Sequence, residues 1–526
     1  MNPIIHPDDQ NRNRMIRNTA IKVLKSTFTI IMMMVLSLSA FANNGFDHSL
    51  SKQQAAQDLS FYFKLIDEQH GNPYAYISRA EFKQLVDANI NSLPEIISYQ
   101  HFSNLVIELN QKLRCGHTAV SIDTQILKTA TEKSDFFPYP VSIIDNEVYI
   151  DFEGGTLPLG SKIVSINGIP SQQLLKELTA LTITDGFIET KKFREVEQKF
   201  GYYFFLKYGA SPEFNVNSNL NGKTNTTTIQ GIPGNQMMAN NYMRPVYQTN
   251  ERYIHFTHVD AIDSLQTLVL TLNTFQASPE WFFQKIYDQY SAASKGAGVN
   301  NLVLDLRNNE GGDRRLLNFL YKMIAGTDLV DPSSTSTRSL KITHEDQLRG
   351  INGAVGSEEV VANAEQYLEK HFSANAKGEF VNDTQNWHEE FELGFDLKDM
   401  KFEGQVYVLT SGKTFSAAAD FARILGQLDN VILVGEETGG ANAGRTANML
   451  LNYSLPNSAL MVQVPVISET FQNKGDKNEK GRGVFPDFTV KKTYADLINK
   501  QDAVFNFTLD LIAHKPNLVA STSLGQ

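Results

Sequence analysis

The chain has 526 residues, which is too long for a single hydrophobic core and predicts several domains. Its hydrophobic content of 41% and charged content of 20% are ordinary for a globular protein in water. The formal net charge of −11 argues against nucleic acid or an anionic membrane surface as a partner.

Residues 1–42 are typical of a secretory signal peptide. Five cations precede the apolar run 28–38, and the sequence AFA at 40–42 fits the small-x-small cleavage pattern. The run is too short to span a bilayer comfortably, so we expect cleavage after Ala42, no membrane span afterwards, and a periplasmic or secreted protein. An uncleaved N-terminal anchor is the alternative, and Met15 is an alternative start.

Residues 50–125 contain three stretches in which apolar side chains recur at helical spacing. They predict an N-terminal helical domain over 43–125, ending in LRCGHTAVSI. Cys115 is the only cysteine, so no intrachain disulfide can form. Its position two residues before His117 suggests a Cys–His nucleophile, although side chains at that spacing need not meet.

Residues 126–245 are predicted to form a β-rich domain. VSIIDNEVYIDF indicates a hairpin turning at Asp145-Asn146, and the Asn-, Gly- and Thr-rich residues 215–231 indicate a second hairpin or a linker. Between them, LPLGSKIVSINGIPSQQLLKEL resembles part of a PDZ domain. The resemblance implies peptide docking by strand addition; the alternative is a β-rich insertion with only a structural role.

An α/β core is predicted over residues 246–500, followed by a C-terminal helix and tail at 501–526. Periodicity predicts strands at 253–256, 268–272, 302–304, 406–409 and 431–434, and helices at 279–293 and 316–324. The polar residues 330–400 are interpreted as an inserted lid or helical excursion, which either gates the site or is simply surface.

Ser416 follows a strand and begins a helix with an apolar stripe. The first N–H groups of a helix have no partner within it, so an oxyanion beside Ser416 could accept a hydrogen bond from the N–H of Ala417. The alternative is that Ser416, or Thr414 before it, only caps the helix.

A glycine pair follows the predicted strand in NNLVLDLRNNEGG. Gly311 and Gly312 allow close backbone approach and can point an N–H group outward. Together with Ala417, one of them could complete an oxyanion hole. The alternative is an ordinary strand-to-helix turn.

Four motifs, DLRNNEGG, LTSGKTFSAAADFA, VGEETGG and GRGVFPDFTV, occur in this order and resemble the C-terminal processing (tail-specific) peptidases, a family of serine proteases. The resemblance covers residues 268–490. It implies a multidomain α/β protein whose core is crotonase-like, with Ser416 as the nucleophile. It also implies an oxyanion hole made by the N–H of Ala417 and that of Gly311 or Gly312.

The chain departs from this family at the base. The best-known members pair serine with lysine, but Ala441 stands at the matching position. The subgroup resembling tricorn protease and the chlamydial protease-like activity factor takes its base from an upstream histidine, and His117 in its GHT sequence matches that residue. His255 and His258 are rivals; three residues apart on an expected strand, they would face opposite sides.

Glu479 is predicted to orient the imidazole. In the histidine-using subgroup a glutamate lies about three residues before the glycine that matches Gly483, and here the spacing is four. Glu469 and Asp476 compete for the role in what is expected to be the same loop. A solvated loop charge without a catalytic role is the alternative.

These expectations combine into an exported serine endopeptidase that acts on peptides or unfolded proteins and needs no metal or cofactor, since the sequence has no HExxH motif. One alternative is an inactive member that binds a peptide or lipid, as the related interphotoreceptor retinoid-binding proteins bind lipids. Another is a crotonase-type acyl-CoA enzyme, for which no nucleotide site is indicated. The sequence leaves substrate preference and oligomeric state open.

Overall fold

A computed structural model describes residue 46 and residues 48–253, 255–276, 279–294, 298–329, 333–382, 402–473 and 479–514. The expected signal peptide and residues 330–332 and 383–400 of the expected insertion lie outside the described residues. Among the helices that are described, none is both long and apolar enough to cross a membrane.

The N-terminal segment consists of helices and short strands. They are β1 (Ser49–Ser51), α1 (Lys52–Gln69), α2 (Arg79–Ser92), β2 (Ile96–Ser98), α3 (Tyr99–Asn110), β3 (Ala119–Ser121) and α4 (Thr124–Lys133). Capping boxes begin α1 and α2, where Ser51 pairs with Gln54 and Ser78 with Glu81. The three stretches with helical periodicity form α1, α2 and α3.

The next segment is a twisted antiparallel sheet with helices against it. Its elements are β4 (Asp135–Phe136), β5 (Val141–Ile144), β6 (Glu147–Ile150), β7 (Lys162–Ile166), β8 (Ile169–Pro170), α5 (Ser171–Thr179), α6 (Glu189–Gln198), α7 (Phe200–Tyr208), β9 (Glu213–Leu220), β10 (Lys223–Gln230), β11 (Ile232–Pro233) and α8 (Gly234–Asn240). The main sheet has the order β10-β9-β7-β6-β5. Asp145 and Asn146 adopt φ angles of 49° and 62°, as a two-residue hairpin requires, which confirms the predicted β5–β6 turn.

The remaining elements form two further sheets with their helices. They are β12 (Thr257–Ile262), β13 (Thr267–Leu272), α9 (Pro279–Ser294), β14 (Asn301–Asp305), α10 (Arg315–Ala325), β15 (Ser333–Thr337), β16 (Leu348–Ile351), β17 (Ala354–Val355), α11 (Glu358–His371), β18 (Ser373–Ala374), β19 (Phe380–Asn382), β20 (Gln405–Thr410), α12 (Ala417–Leu425), β21 (Val431–Gly435), β22 (Gly444–Ser454), β23 (Met461–Phe471), β24 (Phe488–Thr489), α13 (Tyr494–Ile498) and α14 (Ala503–Ala513).

The central sheet has the order β12-β13-β14-β20-β21-β24 and is parallel except for the antiparallel pair β12–β13. Alternate side chains of β13 enter two cores: Leu268 and Leu270 pack on the side of α9, α10 and α12, whereas Val269 packs on the side of α14. Burial of both faces explains why these strands read as continuous apolar runs. The protein is therefore a multidomain α/β structure.

A large antiparallel sheet has the order β17-β16-β22-β23-β15-β19-β18, and β3 also pairs with β23. Residues 333–382 contribute five of these strands and α11, so the interpretation of this part as a helical excursion is wrong. Its Ser/Thr-rich start forms β15, which buries Thr335 and Thr337 against β23. Threonine is β-branched and favours strands even where the sequence is polar.

The first core strand begins later than predicted. Residues 251–253 form a 3-10 turn, and β12 starts at Thr257 rather than at Tyr253. Its partner β13 and the predicted strands β14, β20 and β21 are confirmed, as are helices α9, α10 and α12.

An ion pair connects the C-terminal helix to the central sheet. Arg307, just after β14, donates to both carboxylate oxygens of Asp502 at 2.5 and 2.8 Å, and the two side chains are only 14% and 12% exposed. Asp502 also caps α14 by accepting the N–H of Phe505.

We expect Asp502→Ala to lower the free energy of unfolding by about 3 kcal/mol, because it leaves a buried guanidinium short of one partner. Asp328→Ala is the matched control: it breaks an exposed pair with Lys322 and should cost less than about 1 kcal/mol. Denaturant titration of both variants measures the difference, and equal losses would contradict the expectation.

Candidate active site

Ser416 begins α12 but does not cap it. Its backbone has φ 51° and ψ −125°, a positive-φ conformation that is uncommon for residues other than glycine. Its side chain makes no capping hydrogen bond to the described residues of α12; instead Oγ lies 3.0 Å from Nε2 of His117. The capping interpretation of Ser416 is therefore wrong. Strain of this kind is often found at functional sites.

The turn before Ser416 is anchored to the end of β14. The hydroxyl of Thr414 donates to the carbonyl of Leu306 at 2.9 Å, and the N–H of Phe415 donates to the carbonyl of Asn309 at 3.0 Å. Because β14 and β20 are parallel neighbours, their carboxyl ends lie at the same edge of the central sheet. The serine turn and the glycine pair therefore meet at one edge.

His117 reaches this edge from the segment between α3 and β3. Its carbonyl accepts a hydrogen bond from Nε2 of Gln463 at 2.9 Å, which ties it to β23. The neighbouring N–H of Gly116 donates to Oδ1 of Asp185 at 2.6 Å. The backbone on both sides of the imidazole is thus held by different elements of the fold.

The imidazole of His117 is neutral near pH 7. Burial, assisted by the charge of Arg445, lowers its pKa to about 3, while Glu469 acts in the opposite direction. The ring stacks on Phe415 with centroids 4.7 Å apart. Within the described residues Nδ1 has no hydrogen-bond partner. A neutral ring in contact with a hydroxyl can accept its proton through Nε2.

Glu469 lies on β23 in a buried network of two arginines and two carboxylates. It is fully buried and pairs with Arg314 at 2.6 Å and with Arg445 at 2.9 Å, and Arg445 also pairs with Asp420 at 2.6 Å. Burial opposes ionisation of Glu469, but the two guanidinium groups outweigh it and lower its pKa to about 2. An ionised carboxylate therefore acts on the imidazole of His117.

Glu479, predicted from motif spacing, lies elsewhere. It is exposed, its carbonyl accepts the N–H of Arg482 at 3.2 Å, and its charge acts on that arginine. The charge of Glu469 therefore acts on the imidazole, whereas that of Glu479 acts on Arg482. Glu469 is also not in a loop, because β23 continues to residue 471. Asp476 lies outside the described residues.

The two glycines after β14 are used differently. The N–H of Gly311 already donates to Oδ1 of Asn309 at 2.9 Å. A Cβ on Gly311 would lie 2.7 Å from Cβ of Ser416, so this glycine permits the close approach. By contrast, neither Gly312 N–H nor Ala417 N–H donates to any described residue. Two donors therefore remain open beside Ser416.

The model of peptidase family S41 matches residues 266–490. These residues belong to peptidase family S41. They contain Ser416 and the glycine pair, so the chain carries the core of a serine-type peptidase.

Solved structures share this fold over most of the chain. Mature CPAF is 15% identical, with 88% of this chain and 96% of that chain covered and a TM-score of 0.59. A serine-to-alanine mutant of CPAF is 14% identical, with 89% and 99% covered and a TM-score of 0.61. At these identities the likeness shows the fold. No curated protein matches the sequence.

Ala441, which the sequence analysis matched to the lysine of the best-known tail-specific peptidases, is held through its backbone. Its N–H donates to Oδ2 of Asp185 at 3.3 Å, while Oδ1 of the same carboxylate accepts from Gly116. Asp185 therefore joins the loop between β21 and β22 to the histidine segment. Burial raises its pKa. Sequence reasoning missed Asp185, because nothing in LTITDGF distinguishes it from a turn aspartate.

The two arginines of the network were also missed. Arg314 follows the glycine pair and Arg445 follows the Gly-rich turn, so both lie next to motifs that were recognised. A buried glutamate in the apolar strand β23 is the signal that predicts such partners, since an ionised carboxylate is seldom buried unpaired.

The rival catalytic residues are occupied elsewhere. Nε2 of His258 lies 2.8 Å from Asp260, and the rings of His255 and His258 lie 5.9 Å apart, so they do not face opposite sides as predicted. His255 lies before the start of β12, so the alternation of side chains along a strand does not apply to it.

Cys115 is buried, and burial raises the pKa of its thiol to about 12, which argues against Cys115 as a nucleophile. In the described residues no cluster of three or more His, Cys, Asp or Glu could hold a metal.

Two buried histidines predict how stability depends on pH. Burial lowers the pKa of His70 and of His117 to about 3 from a usual 6.5. Between these values the unfolded chain binds a proton that the folded chain does not, so stability falls as the pH drops below 6.5. Each histidine contributes a slope of up to roughly 1.4 kcal/mol per pH unit.

We expect His70→Gln to show a shallower decrease in the free energy of unfolding between pH 6.5 and pH 5 than the wild type, as measured by denaturant titration at each pH. His101→Gln, an exposed histidine on α3, is the control and should keep the wild-type slope. Identical slopes for the wild type and His70→Gln would contradict the assignment.

Proposed function

We propose that the chain is an exported serine endopeptidase in which Ser416 is the nucleophile and His117 the general base. The observation that carries the proposal is the 3.0 Å contact between Oγ of Ser416 and Nε2 of His117, two side chains 299 positions apart in the sequence. The positive-φ backbone at Ser416 supports it, because the strain has no structural benefit to a capping serine.

The chemistry follows from the positions of these atoms. As Oγ attacks the carbonyl carbon of a peptide, its proton passes to Nε2, and the imidazolium then protonates the leaving amine. The acyl group stays on Ser416 until a water molecule, deprotonated by the same nitrogen, releases it. A base that is neutral at pH 7 starts this cycle in the required state.

The oxyanion hole in this proposal consists of the N–H groups of Ala417 and Gly312. Both are open, whereas the N–H of Gly311 is bound to Asn309. Gly311 instead brings the backbone close to the nucleophile. Losing one donor to an oxyanion typically raises the barrier by roughly 3 kcal/mol.

Glu469 takes the role for which Glu479 was predicted. Its carboxylate favours the imidazolium that forms during the reaction, and Arg314 and Arg445 keep the carboxylate ionised. We propose it as a positioning residue that acts through His117.

The proposal also covers the wider organisation of the chain. Residues 1–42 are a signal peptide for export, 43–125 a helical domain, 126–245 a PDZ-like domain, and 246–500 a crotonase-like core. The PDZ-like assignment draws support from β10, which is a sheet edge to which a peptide strand could be added. Peptides or unfolded proteins are the proposed substrates.

The second candidate is an inactive relative that binds a peptide or lipid, and the alanine at position 441 favours it. The contact between Ser416 and His117 opposes it, because a binding protein has no need of a hydroxyl held against a neutral imidazole. Reactivity of Ser416 separates the two.

We expect a fluorophosphonate probe to label the wild type at Ser416 and to leave Ser416→Ala unlabelled, because only an activated hydroxyl displaces the fluoride. His117→Ala should be labelled at least about a hundredfold more slowly, since general base catalysis typically contributes that much. The measurement is the labelling rate, with the modified residue located by mass spectrometry. A wild type that resists the probe at every pH tested would favour the binding protein.

Glu469→Gln and Glu479→Gln make the same chemical change at a buried and an exposed glutamate. We expect the first to lower kcat about tenfold or more with little change in KM, because the imidazolium loses a favourable charge. Its pH–rate profile should also shift, since Glu469 raises the pKa of His117. Glu479→Gln should behave as the wild type, and the reverse pattern would restore Glu479 as the acidic residue.

A further inference from the structure

A cavity of about 710 Å³ lies between the N-terminal helices and the segment that carries α5 and α6. None of the proposed catalytic residues lines it. Its charged lining residues are five cations and one carboxylate, namely Lys112, Arg114, Lys176, Lys192, Lys207 and Glu108. A chain whose formal net charge is −11 thus contains a concave region of positive charge.

Two of the five cations are neutralised. Lys207 pairs with Glu108 at 2.8 Å, and Lys192 pairs with Glu189 at 2.7 Å. Lys112 on the segment after α3 and Lys176 on α5 are exposed, and neither forms an ion pair with a described residue.

Arg114 is a third cation of the cavity that forms no ion pair with a carboxylate of the described residues. It donates to the carbonyl of Gly186 at 3.3 Å, and its guanidinium stands 4.3 Å from the centre of the Phe187 ring. The cavity therefore offers three cations to a ligand.

The cavity adjoins the segment that carries His117. Arg114 lies three residues before it, and the carbonyl of Arg114 accepts the N–H of Gly186 at 2.8 Å. Asp185, next to Gly186, holds the N–H of Gly116. A polypeptide bound in the cavity would therefore contact the same chain segment that carries the proposed base, His117.

We propose that this cavity binds an acidic segment of the polypeptide substrate, whose side-chain carboxylates pair with Lys112, Arg114 and Lys176. The inference rests on the proposed peptidase function and specifies the substrate class. Since two of the cations are exposed, the attraction weakens as salt is added.

The binding test uses the full-length Ser416→Ala protein, which cannot turn substrate over. A fluorescent peptide rich in Asp and Glu, acetylated and amidated so that only its side chains are charged, is compared with its Asn/Gln counterpart by anisotropy. We expect about tenfold tighter binding of the acidic peptide at low salt. Equal affinities for the two peptides would overturn the proposal.

Charge-reversal variants locate the site. Lys112→Glu with Lys176→Glu should weaken binding of the acidic peptide about tenfold or more. Lys370→Glu with Lys377→Glu changes the net charge equally at two exposed lysines away from the cavity and should leave binding unchanged. If both double variants lose the same affinity for the acidic peptide, the effect comes from the net charge of the whole molecule, and the proposal is overturned. Pyrophosphate that binds as tightly as the peptide would show an anion site without peptide recognition and would also overturn it.

Cleavage separates this inference from the proposed function. With Ser416 intact, kcat/KM for substrates with a distant acidic segment should exceed that for neutral ones, and the preference should disappear in the Lys112 and Lys176 double variant while probe labelling of Ser416 persists. If neither labelling nor cleavage occurs, the peptidase proposal fails, and the anisotropy result still decides whether the cavity binds acidic peptides.

Discussion

The contact between Ser416 and His117 is the constraint on which the site depends. Ser416 stands at the edge of the central parallel sheet, whereas His117 precedes β3, which pairs with β23 of the large antiparallel sheet. The two atoms meet only when the N-terminal segment and both sheets are folded against one another. Long-range assembly of this kind makes the contact between Ser416 and His117 a property of the complete fold, and partly folded chains lack it.

A second constraint is that the imidazole remains neutral beside a buried ionic network. Arg314 and Arg445 contribute two positive charges, and Glu469 and Asp420 contribute two negative charges, so the network is balanced. A balanced set limits the cost of burial. It also places opposing influences on His117, because Arg445 disfavours the imidazolium and Glu469 favours it. Burial is the main cause of the lowered pKa of His117, so the imidazole is neutral near pH 7, and the charge of Glu469 partly offsets this shift.

Sequence reasoning succeeded where local physics decides the outcome. The Asp–Asn turn at Asn146, the apolar parallel strands and the placement of Ser416 at a helix start follow from residues close together in the chain. It failed where the position of a residue depends on strand pairing between distant parts of the chain. Motif spacing favoured Glu479 over Glu469, yet only the pairing of β23 with β22 determines which glutamate is buried near His117. Asp185 shows the same limit, since its partners lie 69 and 256 positions away.

The alanine at position 441 fits this arrangement better than a lysine would. Its N–H is bound by Asp185, the carboxylate that also holds Gly116 beside His117, so the loop between β21 and β22 is tied to the histidine segment. Arg445 follows four residues later and already brings a buried cation that disfavours the imidazolium. A second cation in this loop would lower the proton affinity of His117 further. Alanine at 441 therefore leaves the balance of buried charges around His117 unchanged, whereas a lysine there would add a cation to it.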